Sequence, residues 1–201
     1  MIEGMVFGDS QQAGVTRGNE FFHGPLNLYL SSPENWEIIN NANSLIFNAP
    51  FGEATLQVTL EDLNFVESPE DYLKRFVRNT TDEEVLMIDG LSGFTAKTYR
   101  SGRTTRMAGI FKDDKAYQFI AYLKDRDGDF SSYDLQFMNI IKSIRYLTKR
   151  ELKYSQPLRI KTYKVKQGET YESIASTSSI TLNPEDQLRL LNGDYPDKEL
   201  T

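Results

Sequence analysis

The stretch Ala54-Thr55-Leu56-Gln57-Val58-Thr59-Leu60 decides the fold class. Apolar Ala54, Leu56, Val58 and Leu60 alternate with polar Thr55, Gln57 and Thr59. A period of two puts the four apolar side chains on one side of an extended backbone, so the stretch reads as a half-buried β-strand. Downstream the period changes. Ser68 reads as an N-cap, Pro69 suits a first helical position, and Glu70 and Asp71 complement the positive end of a helix. Tyr72, Leu73, Phe76 and Val77 then form one apolar stripe. Strands are predicted over 91–100, after the Asp89-Gly90 turn, over 103–111, and over 116–123 beyond Lys112-Asp113-Asp114. Ser131 or Ser132 caps a second helix carrying Tyr133, Phe137, Met138, Ile140, Ile141 and Ile144. Hairpins with helices between them predict an α+β fold, an antiparallel sheet with packed helices, rather than a doubly wound parallel sheet.

Upstream of the deciding strand, Leu26, Leu28 and Leu30 alternate with polar residues. Ser32-Pro33-Glu34-Asn35 reads as a turn, and Trp36, Ile38 and Leu45-Ile46-Phe47 as short strands around Asn40-Asn41-Ala42-Asn43. Residues 1–25 carry Gly4, Gly8, Gly14, Gly18 and Gly24, a density that disfavours regular elements, together with apolar Met5, Val6, Phe7, Phe21 and Phe22. They read as an arm that packs on a neighbour and links to an upstream domain. The α+β domain is expected over 26–147, a polar linker over 148–157 and a small unit over 158–201. In that unit 158–165 reads as a strand, Thr170 caps a short helix from Tyr171 to Ala175, and a second helix runs from Asn183-Pro184 to Asn192-Gly193. A strand–helix–helix unit of this size wants a closing strand, and its sequence offers none. Both ends therefore read as those of a piece of a longer product.

The counts exclude whole classes of chemistry. The chain has 201 residues, 23 Lys plus Arg, 29 Asp plus Glu, one His and no Cys. No cysteine means no disulfide framework, no thiolate zinc site and no cysteine nucleophile. A net charge of −6 argues against electrostatic capture of nucleic acid or anionic lipid. No run reaches the apolar length needed to span a bilayer, and Met1 to Gly8 has neither the basic nor the apolar region of a signal peptide. His23 stands alone in Phe21-Phe22-His23-Gly24-Pro25, and its ordinary role is a structural hydrogen bond at the start of a strand. Asp125, Asp127 and Asp129 fit the first positions of a calcium loop, but Phe130 replaces the required glycine and Gln136 the bidentate glutamate, so they read as a solvated turn. Arg100, Arg103 and Arg106 read as surface charges at strand ends, with an anion- or partner-binding patch as the other reading. No catalytic, metal or cofactor residue is assigned.

Two resemblances add to this. Tyr163-Lys164-Val165-Lys166-Gln167-Gly168-Glu169-Thr170-Tyr171-Glu172-Ser173-Ile174-Ala175 resembles the opening of a LysM module, and Leu190-Leu191-Asn192-Gly193 its later segment. Glu169 stands where such modules usually have Asp. The resemblance implies a LysM-like module over 158–201 lacking its last strand, and contact with N-acetyl sugars of peptidoglycan or chitin. Gly4 to Asp9, Gly14 to Gly18, Phe21 to Leu26, Pro33 to Trp36, Ile88 to Leu91 and Gln156 to Ile160 together resemble the region that follows the catalytic domain in bacterial zinc-dependent proteases of metallopeptidase family forty-eight. The middle of the chain resembles the Mog1/PsbP-type α/β sandwich. These likenesses imply an accessory, non-catalytic region in the bacterial envelope or periplasm, with zinc held only by the upstream catalytic domain. Its partners would be that protease domain, and a protein substrate or peptidoglycan. Trp36, Gly168, Thr170, Tyr171 and Asn192 are the candidate partner or glycan contacts. A glycan-binding module is the second reading. An enzyme is the third, and convergent polar groups in a concave pocket would favour it.

Overall fold

A computed structural model describes residues 2–8, 12–63, 67–180 and 183–200. The chain divides into two compact units, Gln11–Gln156 and Met1–Ser10 with Pro157–Thr201. The larger unit holds strands β2 (Val15–Arg17), β3 (Glu20–His23), β4 (Leu28–Ser31), β5 (Glu37–Asn41), β6 (Ser44–Asn48) and β7 (Ala54–Asp62). Helix α1 (Pro69–Lys74) follows, then β8 (Thr81–Ile88), β9 (Leu91–Arg100), β10 (Arg103–Lys112), β11 (Lys115–Leu123) and helix α2 (Ser131–Lys142). The smaller unit holds β1 (Val6–Phe7), β12 (Leu158–Arg159), α3 (Tyr171–Ala175) and α4 (Pro184–Asn192).

The deciding stretch is β7, inside a seven-stranded sheet of order β5-β6-β7-β11-β10-β9-β8. Each pairing in it is antiparallel. Leu56 and Val58 face a core shared with Phe47, Phe119, Ile110 and, from α2, Phe137, Ile140 and Ile141. The three-stranded sheet β2-β3-β4 adds Phe21, Leu28 and Leu30 to that core. Helix α1 covers part of the opposite face, where Leu73 and Val77 meet Phe94, Ala96 and Met107. Gly109 makes this approach possible, since a Cβ there would stand 2.8 Å from the Tyr72 ring. The fold is α+β, antiparallel sheet with packed helices.

Four local expectations change. Residues 15–23, read as part of an arm, form β2 and β3. Their glycines mark turns between short strands: Gly14 (φ +89°) also lies against the Phe21 ring, where a Cβ would come within 2.3 Å. Asp9, Ser10 and Gln11 of that arm lie outside the described residues. Strand β8 went unread because Asp82, Glu83 and Glu84 break any apolar alternation. It is an edge strand, where charges can stay in water. Of residues 148–157, read as a linker, 148–156 belong to the larger unit. Arg145 grips Glu151 with two 2.8 Å hydrogen bonds, and Arg17 donates to the Tyr154 and Gln156 carbonyls at 3.1 and 2.8 Å. Neither Ser131 nor Ser132 caps α2: both lie inside the helix, Phe130 occupies the N-cap position without a side-chain cap, and the Asp129 carboxylate accepts from the Ser131 N–H at 3.0 Å.

In the smaller unit the strand expected over 158–165 is Leu158–Arg159, and it has a partner. β1 pairs antiparallel with β12, Val6 opposite Arg159 and Phe7 opposite Leu158. The ladder continues through Ile160, whose N–H donates to Met5 at 2.9 Å and whose carbonyl accepts from Gly4 at 2.8 Å. The Glu3 carboxylate then accepts from the Thr162 N–H at 2.9 Å. The pairing strand that residues 158–201 lacked in sequence comes from the other end of the chain.

Candidate functional site

A groove of about 440 Å³ lies between β3 and the β5–β6 hairpin of the larger unit. Leu26, Leu28, Leu45 and Leu60 give it apolar walls, and Gln12, Asn40, Asn41 and Asn43 give it amides. Asn40 Nδ2 donates to the Ala13 carbonyl at 2.9 Å, which ties the hairpin to the turn before β2. His23 and Tyr117 also line the groove. Burial lowers the His23 pKa and raises that of Tyr117, so both are neutral near pH 7. His23 Nδ1 accepts from the Leu26 N–H at 3.2 Å and its ring meets Phe21 edge-on, as a structural histidine does. Apolar walls with uncharged amide donors and acceptors suit an extended peptide or another neutral, hydrogen-bonding ligand.

Trp36 does not present a contact surface. It is 5% exposed, packs edge-on against Phe137 and Tyr133, and donates from Nε1 to Gln136 Oε1 at 3.0 Å. Beside the Pro33 turn a tryptophan reads as a surface anchor, but only packing shows that its face is covered. The three arginines separate. Arg106 is 5% exposed on the α2 face and bidentate to Asp134 at 2.9 and 2.7 Å, whereas Arg100 and Arg103 face each other across a hairpin on the other side of the sheet. Burial raises the Asp134 pKa, but hydrogen bonds from Arg106 and Lys97 outweigh it and the net shift is downward. Asp125 accepts from the Asp127 N–H at 3.1 Å, so two of the three loop aspartates serve the turn and the start of the helix.

The LysM-like residues fall together in the smaller unit, in differing roles. Gly168 (φ +84°) forms an open turn. Thr170 and Ser173 make a reciprocal cap: the Ser173 N–H donates to Thr170 Oγ1 at 3.2 Å and the Thr170 N–H to Ser173 Oγ at 2.9 Å. Tyr171 is buried. Its hydroxyl donates to Asp194 at 2.6 Å, and the Arg189 guanidinium lies 4.6 Å over its ring. Burial first, then that bond, push its pKa up to about 12. Asn192 Nδ2 donates to the Leu188 carbonyl at 2.8 Å and finishes α4. Tyr171 and Arg189 thus build this unit, and the exposed face around Gly168 and Thr170 is what it presents. Sequence reading missed Arg189, whose burial between Glu185 and Glu199 follows from the turn after α4.

No helix of the described residues is long and apolar enough to cross a membrane. No protein-family model and no curated protein matches the chain. Among solved structures, the solution structure of cyanobacterial PsbP (CyanoP) from Synechocystis sp. PCC 6803 aligns with TM-score 0.50 and 12% identity, over 70% of this chain and 99% of that one. A crystal structure from Bacteroides thetaiotaomicron VPI-5482 aligns with TM-score 0.47 and 12% identity, over 68% and 51%. Mycobacterium tuberculosis LpqN, described as involved in cell envelope biogenesis, gives 0.36 and 12%, over 58% and 82%. At such identity the likeness to CyanoP concerns the fold alone. The chain contains a PsbP-like α+β domain.

Proposed function

We propose that this chain is an accessory, non-catalytic region of a bacterial-envelope zinc metalloprotease, packing on the protease domain or positioning its protein substrate or the cell wall. One observation carries the reading. Two strings far apart in the chain, Gly4 to Phe7 and Gln156 to Ile160, each resemble parts of the tail of metallopeptidase family forty-eight, and they are antiparallel neighbours across β1 and β12. That pairing joins the start of the chain to the LysM-like segment in one unit. The neutral, amide-rimmed groove of the larger unit supports peptide positioning rather than acid–base work. Zinc would belong to the catalytic domain, and no residue of this chain is assigned to hold it.

The test has two arms. Metal analysis and a casein assay on this chain should find neither stoichiometric zinc nor proteolysis, and either finding would overturn the reading. A zinc-protease domain of family forty-eight, mixed with the chain, should bind it saturably in calorimetry, and no heat at micromolar concentrations counts against it. The second reading is a glycan-binding module, which the open turn at Gly168 beside the Thr170 cap favours. Pull-down on peptidoglycan and on chitin distinguishes it, with retention abolished by G168V if the turn is the contact.

A further inference from the structure

We infer that the cleft at the tip of the β9–β10 hairpin is an oxyanion site, taking a carboxylate or phosphate group. Arg100, Ser101, Arg103, Thr105, Ile120 and Tyr122 line a depression of about 280 Å³ on the sheet face opposite α2. Ser101 (φ +52°) and Gly102 (φ +78°) form the two-residue turn, which puts Arg100 and Arg103 directly opposite each other. Registered partners point to the same side of a sheet, about 5 Å apart, and like charges so placed repel. Arg126 lies beside the turn, outside the cleft lining: its Nη1 is 3.4 Å from where a Cβ on Gly102 would stand.

No carboxylate answers this charge. Among the described residues Arg100, Arg103 and Arg126 make no ion pair, although Arg75, Arg106, Arg145 and Arg189 each do. Acids outnumber bases in this chain, so two unpaired arginines lining one cleft, with a third beside its turn, are not forced by composition. Arg103 is held in place, its Nη1 donating to the Leu123 carbonyl at 2.9 Å and its guanidinium 5.0 Å over the Tyr122 ring. The rest of its donor fork stays available. The hydroxyls of Ser101, Thr105 and Tyr122 have no hydrogen-bond partner among the described residues, so the cleft offers uncharged donors beside the charged ones. An oxyanion between the two guanidiniums would relieve their repulsion and accept paired N–H bonds from them.

The test is a two-dimensional NMR titration of the full chain. One arm uses inorganic phosphate. The other uses a short peptide with a free C-terminal carboxylate, with its C-terminal amide for comparison. Saturable shifts at the amides of Ser101, Thr105 and Tyr122 are expected with phosphate, the free-carboxylate peptide or both, and the responding arm identifies the source. The amide peptide should leave them unmoved. R100Q removes no contact that supports the fold and should weaken binding about tenfold, the factor carried by one charge-assisted hydrogen bond. R126Q should weaken it less. No saturable shift with either probe, or shifts that persist unchanged in the R100Q/R126Q double variant, overturns the proposal.

Discussion

Trp36 is the chain's one tryptophan, so its fluorescence reports one place. Its ring lies in the core beside Phe137 and Tyr133. Emission should be blue-shifted and resist acrylamide quenching in the folded protein, and both properties should vanish on unfolding. W36A should cost about 3–5 kcal/mol, the range for truncating a buried aromatic, measured by urea denaturation. A loss under 1 kcal/mol would return Trp36 to the surface. Glu151 is the second informative residue. Arg145 and then Thr148 hold its carboxyl at about 2, against an ordinary 4.5. A depressed carboxyl contributes stability that is fully present above its unfolded pKa and is lost as pH falls through the folded one. Stability should therefore drop between about pH 4.5 and pH 2, with Asp134 acting in the same direction. Because the Glu151 pair is partly solvated, E151Q should remove only about 1 kcal/mol at pH 7 and should flatten part of this acid slope. Unfolding midpoints at pH 7 and pH 3 check both.

At the scale of elements, most turn chemistry was legible. Asp89-Gly90 became a two-residue turn with φ of +51° and +81°, and Ser68 caps α1 by accepting from the Asp71 N–H at 3.0 Å. The Thr170 cap is equally local, so T170A should destabilise the smaller unit by about 1 kcal/mol, seen as faster amide exchange across α3. The β1–β12 pairing was not legible. Two-residue strands carry no period, and their partners, Val6 with Arg159 and Phe7 with Leu158, come from opposite ends of the chain. Its prediction follows from the ladder. Removing residues 2–7 should expose the Ile160 and Thr162 amides, which would then exchange at near free-peptide rates. Protection that survives the deletion would mean these amides have other partners.

At the scale of the whole chain, the larger unit is pinned by charges that its sequence did not mark. Arg106 joins Asp134 of α2 to β10 and donates to the Asp82 carbonyl of β8 at 3.1 Å, while Lys97 bridges Asp82 and Asp134 at 2.7 and 2.9 Å. Removing Asp134 leaves the buried Arg106 guanidinium without an ion partner among the described residues, whereas removing Arg106 leaves Asp134 its Lys97 bridge. D134A should therefore cost about 3–5 kcal/mol, and replacing Arg106 and Asp134 together by apolar residues should cost less than D134A alone. A double-mutant cycle on urea midpoints measures the difference.

By itself the sequence determined what short range controls. The alternation in Ala54–Leu60, the caps at Ser68 and Thr170 and the turn residues settled strands, helices and an antiparallel α+β class, because each is a property of a few neighbouring residues. It also marked Gly168 and Thr170 as one turn and cap. Only the tertiary structure decided which residues face solvent and which strands share an edge. Burial took Trp36 and Tyr171 out of the candidate contacts, and pairing gave Leu158–Arg159 a partner from the far end of the chain. Register set Arg100 against Arg103 and sent Arg106 to the opposite face. Those outcomes depend on contacts between residues far apart in the chain, which local periodicity does not encode.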